Sequence, residues 1–243
     1  MIAIIGSSHD DILYFDSIMS NKNYDKLLKR YEMITGTIFN QEVVVVYGVY
    51  TSILASSITM AILDKYYIDL VIVVGRCYSL NKAHKPGDII IGTEVINVDV
   101  DQIDHNDVLL GQIPTLPKSF IVQKDLITYL EEGFNKRTFT MGKRGLVLST
   151  NDLSNKAIDI IAKEKTIYNA NEVIIDSTSG GVAVACFLHE VPFAVIKAIE
   201  KVYGVDWDVE NYLKVLNSYI DMDKAVTAMI GDIGRNDVLY GGN

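Results

Sequence analysis

The feature that most constrains the fold is a near-continuous run of apolar residues over positions 69–75. Such a run suits a strand that is covered on both faces, as in a parallel sheet. Similar apolar runs lie at Ile2–Ile5 and at 192–199. Because strands of this kind alternate with helical patterns, the chain is predicted to form a doubly wound α/β fold.

The spacing of apolar residues predicts the remaining elements. Helices are predicted at 10–19, 51–63, 124–132, 156–163, Ser179–Leu188 and 208–230, and further strands at 89–98, 145–149 and 173–175. Two β-rich runs at 33–39 and 43–47 flank Asn40-Gln41 and predict a hairpin, which adds antiparallel strands. We therefore expect a single domain over residues 1–243, with three α/β/α layers around a twisted mixed sheet.

Composition narrows the class of partner. The chain has 243 residues and a formal net charge of -9, and an acidic surface disfavours non-specific binding to nucleic acids or anionic membranes. It has no run of 18 apolar residues and no signal-peptide pattern at its start. The two cysteines, Cys77 and Cys186, are expected to be buried thiols in a reducing compartment, and no cysteine or histidine has metal-ligand spacing. The sequence thus predicts a cytoplasmic protein without a metal.

The expected ligand site follows from the sheet. In open α/β sheets, ligands bind in the crevice at the carboxyl ends of the strands. The segments that follow predicted strands are 7–11, 48–51, 75–80, 150–154, 176–179 and 200–203. We expect these segments to line one crevice.

Several short motifs follow one another in a fixed order along the chain. They are Met1-Ile-Ala-Ile-Ile-Gly6, the run at 69–75, Lys85-Pro-Gly-Asp-Ile89, Asp99-Val-Asp101, Gly111-Gln-Ile-Pro114, Arg144-Gly-Leu-Val147 and Val191-Pro-Phe-Ala-Val-Ile-Lys-Ala-Ile199. In this order and at nearly this spacing, they resemble the framework of the methylthioadenosine/S-adenosylhomocysteine nucleosidase family, within the purine nucleoside phosphorylase superfamily. Any one motif is weak, but seven in register, from residue 1 to about 230, are specific.

The resemblance implies a nucleoside phosphorylase-like fold and hydrolysis of the N-glycosidic bond of an adenine nucleoside. In that family one carboxylate activates water and a second protonates the leaving base, which is general acid-base catalysis. No metal or organic cofactor takes part. The resemblance also implies a homodimer, in which the loop Gly111-Gln-Ile-Pro114 approaches the partner's pocket.

The two catalytic positions are changed in this sequence. The water-activating carboxylate falls on Asp11, which is one methylene shorter than the family's glutamate, and a carboxylate here also suits the start of a helix. The acid falls on Lys201, which inverts its charge. Glu200, one residue earlier, is either a substitute acid or a surface carboxylate.

The binding positions on two glycine-rich segments are changed as well. Tyr50 lies in a loop where the family keeps close-approach glycines. Arg76, Cys77 and Tyr78 replace a turn of small residues after the central strand. Arg76 therefore either brings a cation into the pocket or forms a buried structural ion pair.

Two further segments have lost the family's recognition groups. Leu153 falls where the family's aromatic ring stacks on adenine. Asp176, Ser177 and Thr178 replace the segment whose glutamate holds the ribose hydroxyls, with Thr178 at that position. These three residue types also suit a helix N-cap, so both roles remain open.

Two functions follow from this pattern. One is an N-ribosyl hydrolase or phosphorylase with altered specificity, in which Asp11, Glu200 or Asp176 supplies carboxylates and the cations Arg76 and Lys201 favour a more anionic substrate. The other is a catalytically inactive paralogue that binds a small nucleoside or interacts with a partner. A nucleic-acid binder is disfavoured, because no basic stripe is present.

Overall fold

The computed structural model describes residues 1–100, 111–137, 140–164, 172–206 and 208–236. Within them, eleven strands form one mixed sheet with six helices around it. The strands are β1 Ile2–Ile5, β2 Ser20–Leu27, β3 Tyr31–Ile38, β4 Gln41–Val46, β5 Leu70–Val73, β6 Arg76–Ser79, β7 Ile89–Asn97, β8 Phe120–Ile121, β9 Gly142–Ser149, β10 Val173–Asp176 and β11 Phe193–Val202. The helices are α1 Leu13–Ile18, α2 Ser52–Lys65, α3 Lys124–Arg137, α4 Asn155–Glu164, α5 Ser179–Leu188 and α6 Val209–Asn236. Asp101 of the predicted Asp-Val-Asp motif lies outside the described residues.

The centre of the sheet is parallel, as the apolar runs predict. β1 pairs in parallel with β4 on one side and with β5 on the other, and β11 pairs in parallel with β5. Every residue of β1 and β5 is buried, because helices cover both faces. The predicted mixed α/β fold is confirmed.

One edge of the sheet is antiparallel. The predicted hairpin is present as β3 and β4, joined at Phe39-Asn40. β2 pairs with β3 as the last strand on this side and was not predicted. All its residues except Leu27 are exposed, so its sequence has no apolar run to reveal a strand.

The other half of the sheet curls until it closes. β11, β6, β10, β9 and β7 are neighbours in that order, and β7 also pairs antiparallel with β11. Gly92 permits this contact, because a Cβ there would lie 2.9 Å from the Cβ of Val195 and from Val147 Cγ2. The five strands thus form a ring, and its rim carries the segments predicted to bind ligand.

The helices pack in two groups that enclose the sheet. α2 packs against α5, while α1 and α3 pack against α6, which also contacts β11. One large hydrophobic cluster contains buried residues from Ile2 to Ile233. None of the helices in the described part of the chain combines the length and apolar character needed to cross a membrane.

Candidate functional site

A cavity of about 300 Å³ lies at the carboxyl ends of the strands. It collects nine of the side chains singled out from the sequence. They are Tyr50, Arg76, Cys77, Tyr78, Leu153, Asp176, Ser177, Thr178 and Glu200. Ser7 and Ser8, from the turn after β1, complete one wall together with Ile175 of β10. The segments expected to share one crevice do so.

Gly75 creates the bend that brings Arg76 into this cavity. Its φ of +133° belongs to a region that residues with a side chain rarely adopt. A Cβ at this position would lie 3.0 Å from Asp11 Oδ2 and 3.3 Å from Ser7 Oγ. The segment after the central strand, expected as a turn, therefore bends once and continues as β6, between β11 and β10.

Arg76 links three groups at the edge of the cavity. Its guanidinium donates to Glu200 Oε1 at 3.1 Å and to Ser8 Oγ at 3.1 Å, and it lies 3.8 Å from Asp11 Oδ1. Burial alone would lower the pKa of Arg76, but the charges of the surrounding acidic groups, Tyr219, Asp11 and Glu200, raise it. Arg76 therefore both lines the cavity and forms ion pairs with Glu200 and Asp11.

Asp11 lies behind Ser8 and is fully buried. Its Oδ2 accepts a hydrogen bond from the Ser8 N–H at 2.7 Å, whereas its Oδ1 has no hydrogen-bond partner. Burial raises the pKa of Asp11, and the Ser8 hydrogen bond and the charges of Arg76 and Lys197 limit the rise. A buried carboxylate with one free oxygen is suited to accept a proton.

A β-bulge decides which of two neighbouring charges faces the cavity. The register between β11 and β6 shifts between Ile199 and Lys201, so that Glu200 is the extra residue. Glu200 consequently points at Arg76 and lines the cavity. Lys201 is exposed, and its Nζ lies 5.2 Å from the ring centroid of Tyr78 and 3.4 Å from the Tyr78 hydroxyl.

The cavity floor is a fully buried ion pair that the sequence reasoning missed. Lys197 Nζ lies 2.9 Å from Asp176 Oδ2 and donates to Thr178 Oγ1 at 2.9 Å. Burial would raise the pKa of Asp176, yet its pKa is lowered because of Lys197 and of hydrogen bonds from Ser179. The available signal was a single lysine within the apolar run of β11, which needs a buried partner.

The sequence left two roles open for residues 176–178, ribose recognition and helix capping. The side-chain atoms concerned already have hydrogen-bond partners within the protein. Asp176 accepts the backbone N–H of Ser179 at 3.1 Å and so satisfies a donor at the start of α5, whereas Thr178, the N-cap residue, makes no side-chain capping bond. The Thr178 hydroxyl accepts from Lys197 and donates to Asp176 Oδ2 at 3.1 Å. Ser177 Oγ donates to the Tyr50 carbonyl at 2.7 Å. The ribose position therefore presents a closed network rather than a free acceptor.

Two of the lining residues contribute shape rather than reactivity. Cys77 is buried, and burial raises the pKa of its thiol well above the ordinary value, so the nucleophilic thiolate is disfavoured. Leu153 packs against a small hydrophobic cluster that includes Tyr78. Among the described residues, no group of three or more histidine, cysteine, aspartate or glutamate side chains is placed to hold a metal ion.

Comparison with known proteins matches almost the whole chain. A family model described as the phosphorylase superfamily matches residues 1–228. The 5'-methylthioadenosine/S-adenosylhomocysteine nucleosidase of Bacillus velezensis is 25% identical over 211 residues, which cover 86% of this chain and 88% of the relative. The nucleosidase of the same name from Buchnera aphidicola is 26% identical over 237 residues, or 91% of this chain and 99% of the relative.

A solved structure shows the same fold. It is the Neisseria meningitidis nucleosidase of this type in complex with methylthio-immucillin-A. It superposes with a TM-score of 0.84 at 22% identity and covers 95% of this chain and 98% of that one.

Proposed function

Because this chain belongs to the phosphorylase superfamily, we propose that it binds a purine nucleoside in the cavity at the strand ends and hydrolyses the N-glycosidic bond with altered specificity. The family resemblance read from the framework motifs is confirmed by the match over residues 1–228. The two relatives compared above are nucleosidases of methylthioadenosine and S-adenosylhomocysteine. A nucleoside of that type is therefore the first substrate to test.

One observation carries the proposal. Arg76 contacts two carboxylates, Glu200 in the cavity wall and Asp11, which is buried behind Ser8 of that wall. Hydrolysis of an N-glycosidic bond needs a base for the water and an acid for the leaving purine. The arrangement supplies a carboxylate for each step, although Lys201 occupies the position where the family resemblance puts the acid.

In the proposed reaction, Asp11 accepts a proton from water as the water oxygen attacks C1' of the ribose. The Ser8 N–H fixes one oxygen of Asp11, so the other oxygen is the acceptor. The bond between C1' and the base nitrogen breaks, and its electron pair passes to the purine. Glu200, in its protonated form, donates a proton to the purine and returns to the ionised form.

The altered specificity follows from the cavity floor. A carboxylate that accepts two ribose hydroxyls is replaced by Thr178, whose hydroxyl is already used in both directions. Ribose recognition is therefore weaker than a carboxylate would give. Arg76 is paired with two carboxylates and Lys201 is exposed, so neither supplies an unpaired cation inside the cavity to favour an anionic substrate.

The direct experiment measures release of free base. Purified protein is incubated with methylthioadenosine, S-adenosylhomocysteine, inosine and adenosine, with and without phosphate, and the products are separated by chromatography. We expect release from at least one nucleoside and loss of at least about 100-fold in Asp11→Asn and Glu200→Gln. Asp64→Asn and Glu42→Gln, which change exposed carboxylates away from the cavity, serve as matched controls.

The alternative function is a non-catalytic nucleoside-binding protein. It is favoured by the closed network of Lys197, Asp176 and Thr178, which leaves no free ribose acceptor. Two measurements, thermal stabilisation by a nucleoside and release of free base, distinguish the two functions. Thermal stabilisation by a nucleoside without release of base supports binding alone, whereas release that depends on Asp11 and Glu200 excludes it.

We further propose that the protein is a cytoplasmic homodimer. An apolar depression of about 670 Å³ is lined by β8 and the end of α5, and Ile121, Phe187 and Leu188 are largely exposed there. An exposed apolar patch of this kind commonly marks a protein interface. Light scattering at micromolar concentration tests the proposal, because Ile121→Asp should convert a dimer into a monomer.

A further inference from the structure

The buried face of α6 carries an unusual row of polar side chains. Tyr219, Asp223 and Thr227 follow each other at intervals of four residues, which places them above one another on one helix face. All three are buried, and Tyr219 Oη, Asp223 Oδ1 and Thr227 Oγ1 have no hydrogen-bond partner. Buried polar atoms without protein partners are normally satisfied by internal water.

The row of polar side chains on α6 approaches Asp11, the candidate base of the proposed reaction, through Arg76. The Tyr219 ring lies 5.9 Å from the Arg76 guanidinium, which in turn lies 3.8 Å from Asp11 Oδ1. Asp11 Oδ1 is the fourth buried oxygen without a partner. Asp223 and Asp11 share no direct hydrogen bond, and each keeps one buried oxygen without a protein partner, so a water molecule between them would satisfy both atoms.

Asp223 also lines a second cavity, which is separate from the first. This groove of about 460 Å³ lies between α1 and α6, and its lining includes Asp10, Tyr14 and Tyr219. It shares no lining residue with the nucleoside cavity. Leu13 and Ile220 in its wall are exposed, so the groove reaches solvent. Asp223 therefore stands between Asp11 and a separate opening.

We propose that Asp223 relays the proton that Asp11 takes from the attacking water, through a bridging water, into the groove between α1 and α6. The inference rests on the proposed hydrolysis. The O–H bond of Asp11 breaks and its proton passes to the bridging water. That water gives a proton to Asp223 Oδ1, and Asp223 releases its own proton to water in the groove. Asp11 is again ionised, and the net change is one proton delivered to solvent.

The surrounding charges set the direction of this relay. Burial raises the pKa of Asp223 well above its ordinary value, and the negative charge of Asp11 raises it further. Arg76 and Lys197 face Asp11 and favour its ionised form, whereas Glu200 faces Arg76 from β11 and Asp10 faces the groove. The protonated form is thus favoured at Asp223, whereas the charges of Arg76 and Lys197 favour the ionised form of Asp11.

The first test follows kcat, KM and their pH dependence in Asp223→Asn, which keeps the shape but cannot exchange a proton. We expect kcat to fall about 10- to 100-fold with KM nearly unchanged, and the pH profile of kcat to change shape. Asp223→Ala should regain activity when formate is added, since a small acid can enter through the groove. Glu210→Gln, which changes an exposed carboxylate on the same helix, is the control. An unchanged kcat and profile in Asp223→Asn would overturn the relay.

The second test needs no activity. In protein labelled with carbon-13 at the aspartate Cγ, one carboxyl signal should titrate above the ordinary range of an aspartate, vanish in Asp223→Asn, and titrate at lower pH in Asp11→Asn. A coupled titration in a protein that releases no base supports the shared proton and assigns the failure to the proposed reaction. An ordinary aspartate titration for Asp223 overturns the inference whether or not the protein is active.

Discussion

Lys197 Nζ lies 2.9 Å from Asp176 Oδ2, and neither side chain is exposed to solvent. The pair anchors β11 to the end of β10 underneath the candidate site. A buried pair contributes little compared with apolar residues of the same size, because desolvation of both charges offsets their attraction. Removal of one partner, by contrast, strongly destabilises the fold, because it leaves a buried charge without its counter-ion.

We therefore expect Asp176→Asn to lower the free energy of unfolding by about 3–5 kcal/mol, because Lys197 remains buried without its counter-ion. The double variant Asp176→Leu with Lys197→Met should recover most of that loss. Urea denaturation measures both. A loss below about 1 kcal/mol in Asp176→Asn would contradict the buried pair.

Asp223 should make stability fall as pH rises. Its pKa is raised in the folded state, so above pH 3.8 the folded protein binds more protons than the unfolded chain. The resulting loss is up to about 1.4 kcal/mol per pH unit until the folded pKa is reached. The substitution Asp223→Asn should remove this loss of stability with rising pH. The variant should become more stable than the wild type as the pH rises above about 4, and the difference should vanish near pH 4. Calorimetry across pH shows whether the two curves converge at low pH, as required.

Arg76→Met should move the acid limb of the activity profile to higher pH. Arg76 is one of the charges that limit the raised pKa of Asp11, so its loss lets that pKa rise further and keeps the base protonated. The initial rate of base release as a function of pH measures the shift. Arg30→Met, at an exposed position outside the site, should leave the limb in place.

Gly75→Ala and Gly204→Ala form a matched pair. Gly204 has a φ of +72°, near the left-handed helical region, and a Cβ there would make only an ordinary 3.5 Å contact with Lys82. Its replacement should cost about 1–2 kcal/mol. Gly75→Ala should cost at least about 1 kcal/mol more, because its φ is less accessible and the Cβ meets Asp11. Equal losses in denaturation would refute the close approach.

The sequence predicted those parts of the fold in which one property dominates. The apolar runs of β1, β5 and β11 could only be covered strands, and the segments after them met in one cavity. β2 escaped because it is a polar edge strand, and β6 because Gly75 marked the segment as a turn. Local patterns say little about strands whose pairing is decided by distant partners.

The polar groups behind the site were harder to predict. Lys197 stood within a strand, and Asp223 within a long amphipathic helix, where a single charged residue is ordinarily assigned to the surface. Only the tertiary packing shows that each faces inward. The interval of four residues from Tyr219 to Asp223 was the available signal, since it places a carboxylate beside a core tyrosine.

The bulge in β11 has a consequence for how chains of this type are compared. The family resemblance places Lys201 at the position of the catalytic acid. In space, the extra residue rotates the strand by half a repeat, and the cavity meets Glu200 while Lys201 turns outward. The charge that faces the cavity therefore depends on the bulge in β11 and cannot be inferred from the residue at one aligned position. An alignment that ignores the bulge would report only the lysine at position 201, whereas in the folded chain the carboxylate of Glu200 faces the cavity.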